Sequence, residues 1–188
     1  MASVASREAY FETGLEVLSD LGYGGLKLAE VCNRLGVTTG SFYHYFTNWP
    51  AYTKDLVEYW VQERTVQTAD AVRSETDPRR RIDMIIQLGL GLPHGAEAAI
   101  RVWSSVDPEV HAVQAAVDRQ RFDVAYESAY EILQSKRKAE VFALWAVYLL
   151  VGYEQAALPH DAAALQWIAE RLRVALDTDG FASVPDSD

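Results

Sequence analysis

LAEVCNRLGVTTGSFYHYF, residues Leu28 to Phe46, spells two short helices that meet at a glycine. In a helix-turn-helix the two helices cross closely. The first then needs a small residue at the crossing, an apolar residue just before it, and a glycine four places on. Cys32, Val31 and Gly36 fill those positions, and Val37 and Phe42 are the apolar residues flanking the turn. Glycine ends a helix well because the left-handed conformation costs it no Cβ clash. Thr38 then starts the second helix, its hydroxyl capping a free backbone N–H. Thr39, Gly40, Ser41, Tyr43 and His44 fall on the opening turns of that helix, where a recognition helix meets base edges. Phe42, Tyr45 and Phe46 are expected to face the core. The same spacing also occurs at tight helical corners inside ordinary bundles.

Working outward, the segment from Tyr10 to Trp60 resembles the N-terminal domain of the tetracycline-repressor (TetR) family of one-component regulators. The resemblance is carried by Phe11, Leu15 and Leu18, the Leu21-Gly22-Tyr23 turn, Ala29 to Cys32, Leu35 to Phe46, and Leu56. It implies a homodimer that reads a palindromic double-stranded DNA operator with Lys27, Thr38, Thr39, Gly40, Ser41, Tyr43 and His44. The resemblance further implies repression relieved by a small-molecule effector. Two departures stand out. Leu26 and Lys27 replace the hydroxyl pair that usually opens the second helix, leaving Lys27 to meet a phosphate, and Trp49 and Pro50 replace the usual Lys-Glu pair. Asn48 still caps the next helix, with Pro50 in its first turn.

The net charge of −10 works against DNA, since lysine and arginine supply most nonspecific affinity. Within residues 1–58, four cations face seven acids, yet Val31 to Lys54 holds Arg34 and Lys54 and no acidic residue. Binding that leans on hydroxyl and aromatic contacts is expected. The charge also motivates an alternative: a helical dimer that keeps the fold and acts through a ligand or protein partner without DNA.

The chain has 188 residues, 49% of them apolar, enough for a substantial core in one or two domains. The longest apolar run, Val141 to Gly152, is about a dozen residues and reads as a buried helix, not a membrane span. No secretion signal is read at the N-terminus, and the one cysteine, Cys32, reads as packing, so a cytoplasmic setting is expected.

Helical signals continue to the end. Asp77-Pro78 and Asp107-Pro108 pair an N-cap with a proline. The whole predicts an all-α fold of about nine helices, near residues 6–21, 27–35, 39–45, 49–73, 78–91, 95–105, 108–134, 137–157 and 161–178. These divide into a three-helix helix-turn-helix domain (1–48), a ligand-binding and dimerisation bundle (49–179) and a flexible tail (180–188).

Helix eight is apolar around nearly its whole circumference, and helix nine carries one apolar stripe. Packing two copies of both about a twofold axis would bury Val147, Leu150, Leu165, Ile168, Leu172 and Ala175. An effector site between bundle helices would draw on aromatic and apolar residues with few polar tips. The candidates are Trp60, Arg64, Leu88, Trp103, Phe122, Tyr126, Trp145 and Tyr148, although aromatics at helical spacing are also ordinary core. No catalytic residue, metal or cofactor is expected. His44, His94, His111 and His160 are scattered, and no His-x-x-x-His, Cys-x-x-Cys or Gly-x-Ser-x-Gly pattern occurs.

Overall fold

The computed structural model describes residues 6–185, apart from the side chains of residues 64, 65 and 179. The described residues are all helical or loop. The helices are α1 (Arg7–Gly25), α2 (Leu28–Leu35), α3 (Thr39–Phe42), α4 (Trp49–Val61), α5 (Gln67–Ser74), α6 (Pro78–Leu90), α7 (His94–Ser104), α8 (Pro108–Leu133), α9 (Lys136–Gln155) and α10 (Ala162–Asp177). Among these residues no helix is long and apolar enough to cross a membrane.

Ten helices replace nine because the long fourth one is interrupted. A π-helical turn, Gln62–Val66, separates α4 from α5. Gln-Glu-Arg-Thr-Val contains no glycine or proline, so nothing in the periodicity announces the wider turn. Most helix starts follow the capping signals. Asn48 accepts from Ala51 N at 2.8 Å, Asp107 from Glu109 N at 3.0 Å, and Asp161 from Ala164 N at 2.9 Å. Lys27 opens α2 with no side-chain cap.

The chain forms two compact units. The first runs through residue 63 and adds Pro93–Gln114; the second is Arg64–Leu92 with the residues from Ala115 onward. This grouping differs from a boundary after residue 48, because α4 and α7 pack into the helix-turn-helix core. Tyr52 and Trp60 of α4 are fully buried. Trp60 Nε1 donates to Glu97 Oε1 of α7 at 2.8 Å, and Tyr23 of α1 stacks on Trp103 at 5.0 Å. A Cβ at Gly95 would lie 2.9 Å from the Ser19 carbonyl, so glycine there lets α7 settle on α1.

The second unit is built on Ile82 and Ile86 of α6, Ala125 and Ala129 of α8, Phe142 of α9 flanked by Ala139 and Ala143, and Ala169, Leu172 and Leu176 of α10. The alanines let the helices approach while Phe142 fills the space between them. Two sequence expectations are corrected here. Residues 180–185 are not a free tail: Phe181 is buried in this core, 6.0 Å from the Phe142 ring, and Val184 packs beside it. The inward stripe of α10 is Leu165, Ala169, Leu172 and Leu176. Leu165 and Leu172, expected at a dimer interface, are therefore buried within their own chain. Ala175 is half-buried against the same core, and Val147 and Leu150 of α9 are half-buried. Ile168 does remain exposed, beside Trp167, which is 64% exposed. Residues 186–188 of the expected tail lie outside the described residues.

Candidate nucleic-acid interface

α2 ends where glycine permits. Gly36 has φ 71°, its N–H donates to Asn33 O at 3.1 Å, and Val37 N donates to Cys32 O at 3.0 Å. These two bonds satisfy the last carbonyls of α2 and turn the chain sharply. Thr38 follows in extended conformation and its Oγ1 accepts from Ser41 N at 3.2 Å, which caps α3 as expected. The regular part of α3 is only Thr39–Phe42, shorter than the anticipated 39–45. Tighter bonds from His44 N to Ser41 O (3.2 Å) and Tyr45 N to Phe42 O (2.9 Å) keep the chain wound beyond it. The cause is aromatic packing: Phe42 and Phe46 sit 5.0 Å apart, and both also contact Tyr10 and Tyr52.

That anchor fixes what faces outward. Lys27, Thr38, Thr39, Gly40, Tyr43 and His44 are all exposed. Tyr43 is 57% exposed and stands edge-on to Phe42 at 5.4 Å, so the exposed ring rises from a rigid base. Ser41 is half-buried, and the Tyr10 hydroxyl donates to its Oγ at 3.4 Å. It therefore positions α3 on α1 more than it presents a group to solvent. A Cβ at Gly40 would touch only Thr38 Oγ1, at an ordinary 3.6 Å. No packing inside the chain requires glycine there. Trp49 is half-buried, 4.9 Å from the Tyr52 ring, so it extends the aromatic core under α3.

The electrostatics are sparse. Arg7 reaches Asp55 at 2.5 Å and the Tyr45 carbonyl at 2.6 Å, and lies over the Phe46 ring. Arg34 holds Glu30 at 2.8 Å and Asp20 at 2.6 Å, and hydrogen bonds to those carboxylates raise its pKa. Lys27 and Lys54 are exposed on the same unit. Burial pushes the Cys32 thiol up, consistent with an inert packing residue.

The expected effector residues do not form one constellation. Trp60 and Trp103 belong to the first unit, and their ring N–H groups are already bonded, to Glu97 and to Asp107 Oδ2 at 3.2 Å. In the second unit Phe122 and Tyr126 stack at 6.0 Å, and Tyr130 continues the ladder. Leu88 packs on Ala69, Val72 and Val124, and Trp145 lies 6.1 Å from Phe181. Tyr148 is 65% exposed, and the side chain of Arg64 lies outside the described residues. Sequence reasoning passed over Glu97, a buried carboxylate within the apolar stretch Ala96-Glu97-Ala98-Ala99-Ile100. The signal was its place on the core face of an otherwise apolar helix.

A glycine-closed corner, a capped short helix anchored by aromatics and an outward row of small polar groups define a helix-turn-helix protein. Residues 11–48 match the sequence model of bacterial regulatory proteins of the tetR family. The chain is 24% identical over 166 residues to the HTH-type transcriptional regulator BetI of Pectobacterium carotovorum, covering 83% of this chain and 84% of that one. Among solved structures, a Rhodococcus transcriptional regulator aligns with TM-score 0.71 at 16% identity, over 92% of this chain and 96% of its own. A Saccharomonospora viridis regulator in complex with choline aligns at 0.70 and 13%, over 88% and 93%. AibR in complex with isovaleryl coenzyme A and operator DNA aligns at 0.66 and 16%, over 90% and 96%. Residues 11–48 are therefore a tetR-type helix-turn-helix segment, and the chain as a whole shares the fold of these structures.

Proposed function

We propose that this protein is a tetR-type transcription regulator, a repressor that binds a palindromic operator as a homodimer and is released by a small apolar or aromatic effector. The observation that carries the DNA reading is Gly40. A glycine in a helix costs about 0.5–1 kcal/mol relative to alanine. Here it has no internal packing reason, and it lies in the exposed row Thr38, Thr39, Gly40, Tyr43 and His44. Bare backbone at that point suits close approach to a duplex, with the hydroxyls and Tyr43 on base edges or phosphates and Lys27 on a phosphate.

The dimer reading is supported by apolar side chains on the last two long helices that the single chain leaves uncovered. Trp145 and Tyr148 on α9 and Trp167 and Ile168 on α10 are all exposed. A twofold mate covering them would set two heads about 34–36 Å apart, one turn of duplex. An effector that prefers a different head separation then weakens operator binding by its ratio of affinities for the two states. Two proteins of this fold are described with small molecules bound, which supports an effector in kind and not in identity.

The test is a mobility shift of the purified protein on fragments of its own upstream region at modest salt. Thr39→Ala with Tyr43→Ala is expected to abolish the shift while leaving the fold intact by circular dichroism. Unchanged affinity would remove α3 from the interface. The strongly acidic chain favours one other reading, a dimer acting without DNA. Under that reading no fragment shifts at any salt.

A further inference from the structure

A net charge of −10 makes the source of DNA affinity a question for individual side chains. The cations of the first unit are Arg7, Lys27, Arg34, Lys54 and Arg101. Three are spent inside the fold. Arg7 bridges Asp55 and the Tyr45 carbonyl, tying α1 to the end of the recognition turn. Arg34 is the one cation of the helix-turn-helix segment itself, and its Nε and one terminal nitrogen are fixed on Glu30 and Asp20. Arg101 is likewise engaged within the protein. Among the described residues of this unit, only Lys27, at the start of α2, and Lys54, on α4, are exposed cations that carry no ion pair.

We infer that this head contacts phosphate with at most two side-chain cations, Lys27 and Lys54, and that Arg34 is a positioning residue that locks α2 to α1. The inference rests on the DNA reading above and specifies how the partner is held. Each neutralised phosphate contributes about 0.9 to the slope of log affinity against log salt. A dimer with two such lysines per head is therefore limited to a slope of about −3.6. Between 50 and 200 mM salt that is a loss of about 150-fold at most, against roughly 10³–10⁵ for a protein with six to ten phosphate contacts. The remaining affinity comes from neutral donors: the Thr38 and Thr39 hydroxyls, Tyr43 and the backbone around Gly40. Discrimination between sequences is then retained at salt concentrations where nonspecific binding has vanished.

The experiment uses the full-length protein at pH 8, where an ordinary histidine is neutral, and a duplex that the protein itself selects from a random-sequence pool. Affinity is measured across a salt series. A slope of −3.6 or shallower is expected, flattening by about 1.8 in Lys27→Ala and again in Lys54→Ala, since each substitution occurs twice in a dimer. Arg34→Met is expected to lower the melting temperature and leave the slope unchanged. Should that variant fail to fold, Asp20→Asn with Glu30→Gln frees the guanidinium and is expected to steepen the slope by up to about 1.8. A wild-type slope beyond about −6, or a slope indifferent to both lysines, overturns the inference while leaving DNA binding in place. If the pool yields no bound duplex even at 50 mM salt, the DNA reading itself fails and the inference with it.

Discussion

Gly14 of α1 faces the hydroxyl of Tyr52, and a methyl group there would collide with that oxygen and lie 3.1 Å from Leu56. Tyr52 in turn donates to the Tyr10 carbonyl at 2.8 Å in a fully buried site. Overpacking of this kind costs about 1–3 kcal/mol, so Gly14→Ala is expected to destabilise by that amount in urea unfolding. Tyr52→Phe loses a buried hydrogen bond, about 1 kcal/mol. The double substitution removes the oxygen that the methyl strikes, so its cost is expected to fall short of the two combined; simple additivity would show that the two sites do not touch. What was legible at this scale is whatever is decided within a few residues. Gly36, Thr38, Asn48 and Asp107 announce themselves because a cap or a left-handed turn depends on its neighbours in sequence. Gly14 against Tyr52 and Arg34 against Asp20 depend on which helices meet, and no local pattern carries that.

Most helix starts were legible and internal details less so. The π turn after α4 hides in ordinary helix-forming residues, and α3 stops early because of rings packed beneath it. In α10 the choice between adjacent apolar stripes turns on Ala169, which the sequence leaves neutral and the fold buries. Phe181 was missed because one apolar residue after a helix end has no period to belong to. Its burial predicts that Phe181→Ala costs roughly 3–5 kcal/mol, as for other core phenylalanines; a change within experimental error in urea midpoint would mean that the segment is not docked.

Pairs between and along helices also set the pH response. Hydrogen bonding to Arg81 lowers the pKa of Glu131, and Arg173 does the same for Glu170. A depressed carboxylate contributes stability above its unfolded pKa, near 4.3, and loses it as pH falls through the folded value. Both carboxylates are well exposed, so the acid-side loss is expected to be shallow. Burial raises Tyr10 and Tyr52, which favours their neutral forms. Their contribution is intact below about pH 10 and is lost as pH rises further. Urea midpoints at pH 3, 7 and 11 are expected to fall slightly on the acid side and strongly on the alkaline side. Tyr52→Phe should blunt the alkaline fall.

At the scale of the molecule, the all-α class and the helix-turn-helix were legible because both rest on periodicity and punctuation. The grouping of helices into units was not. α7 begins 48 residues beyond Phe46, the end of the helix-turn-helix, yet it supplies Glu97 to Trp60 and Trp103 to Tyr23. A fragment ending at residue 63 would expose the buried Trp60 ring and strip it of its acceptor. It is expected to lack a cooperative thermal transition and to show poor amide dispersion. A sharply melting fragment would mean that α7 is dispensable to the head.

The interleaving of the two units along the chain bears on how the protein is made. On the ribosome, the nascent head cannot close until α7 has emerged, and the second core lacks Phe181 until α10 and the turn after it have been made. Neither unit matures in the order in which it is written. Synthesis stalled near residue 90 would leave both cores open to chaperones and proteases. Rare codons or pauses in the stretch encoding α6 would therefore lower the yield of this protein more than the same pauses placed after α7.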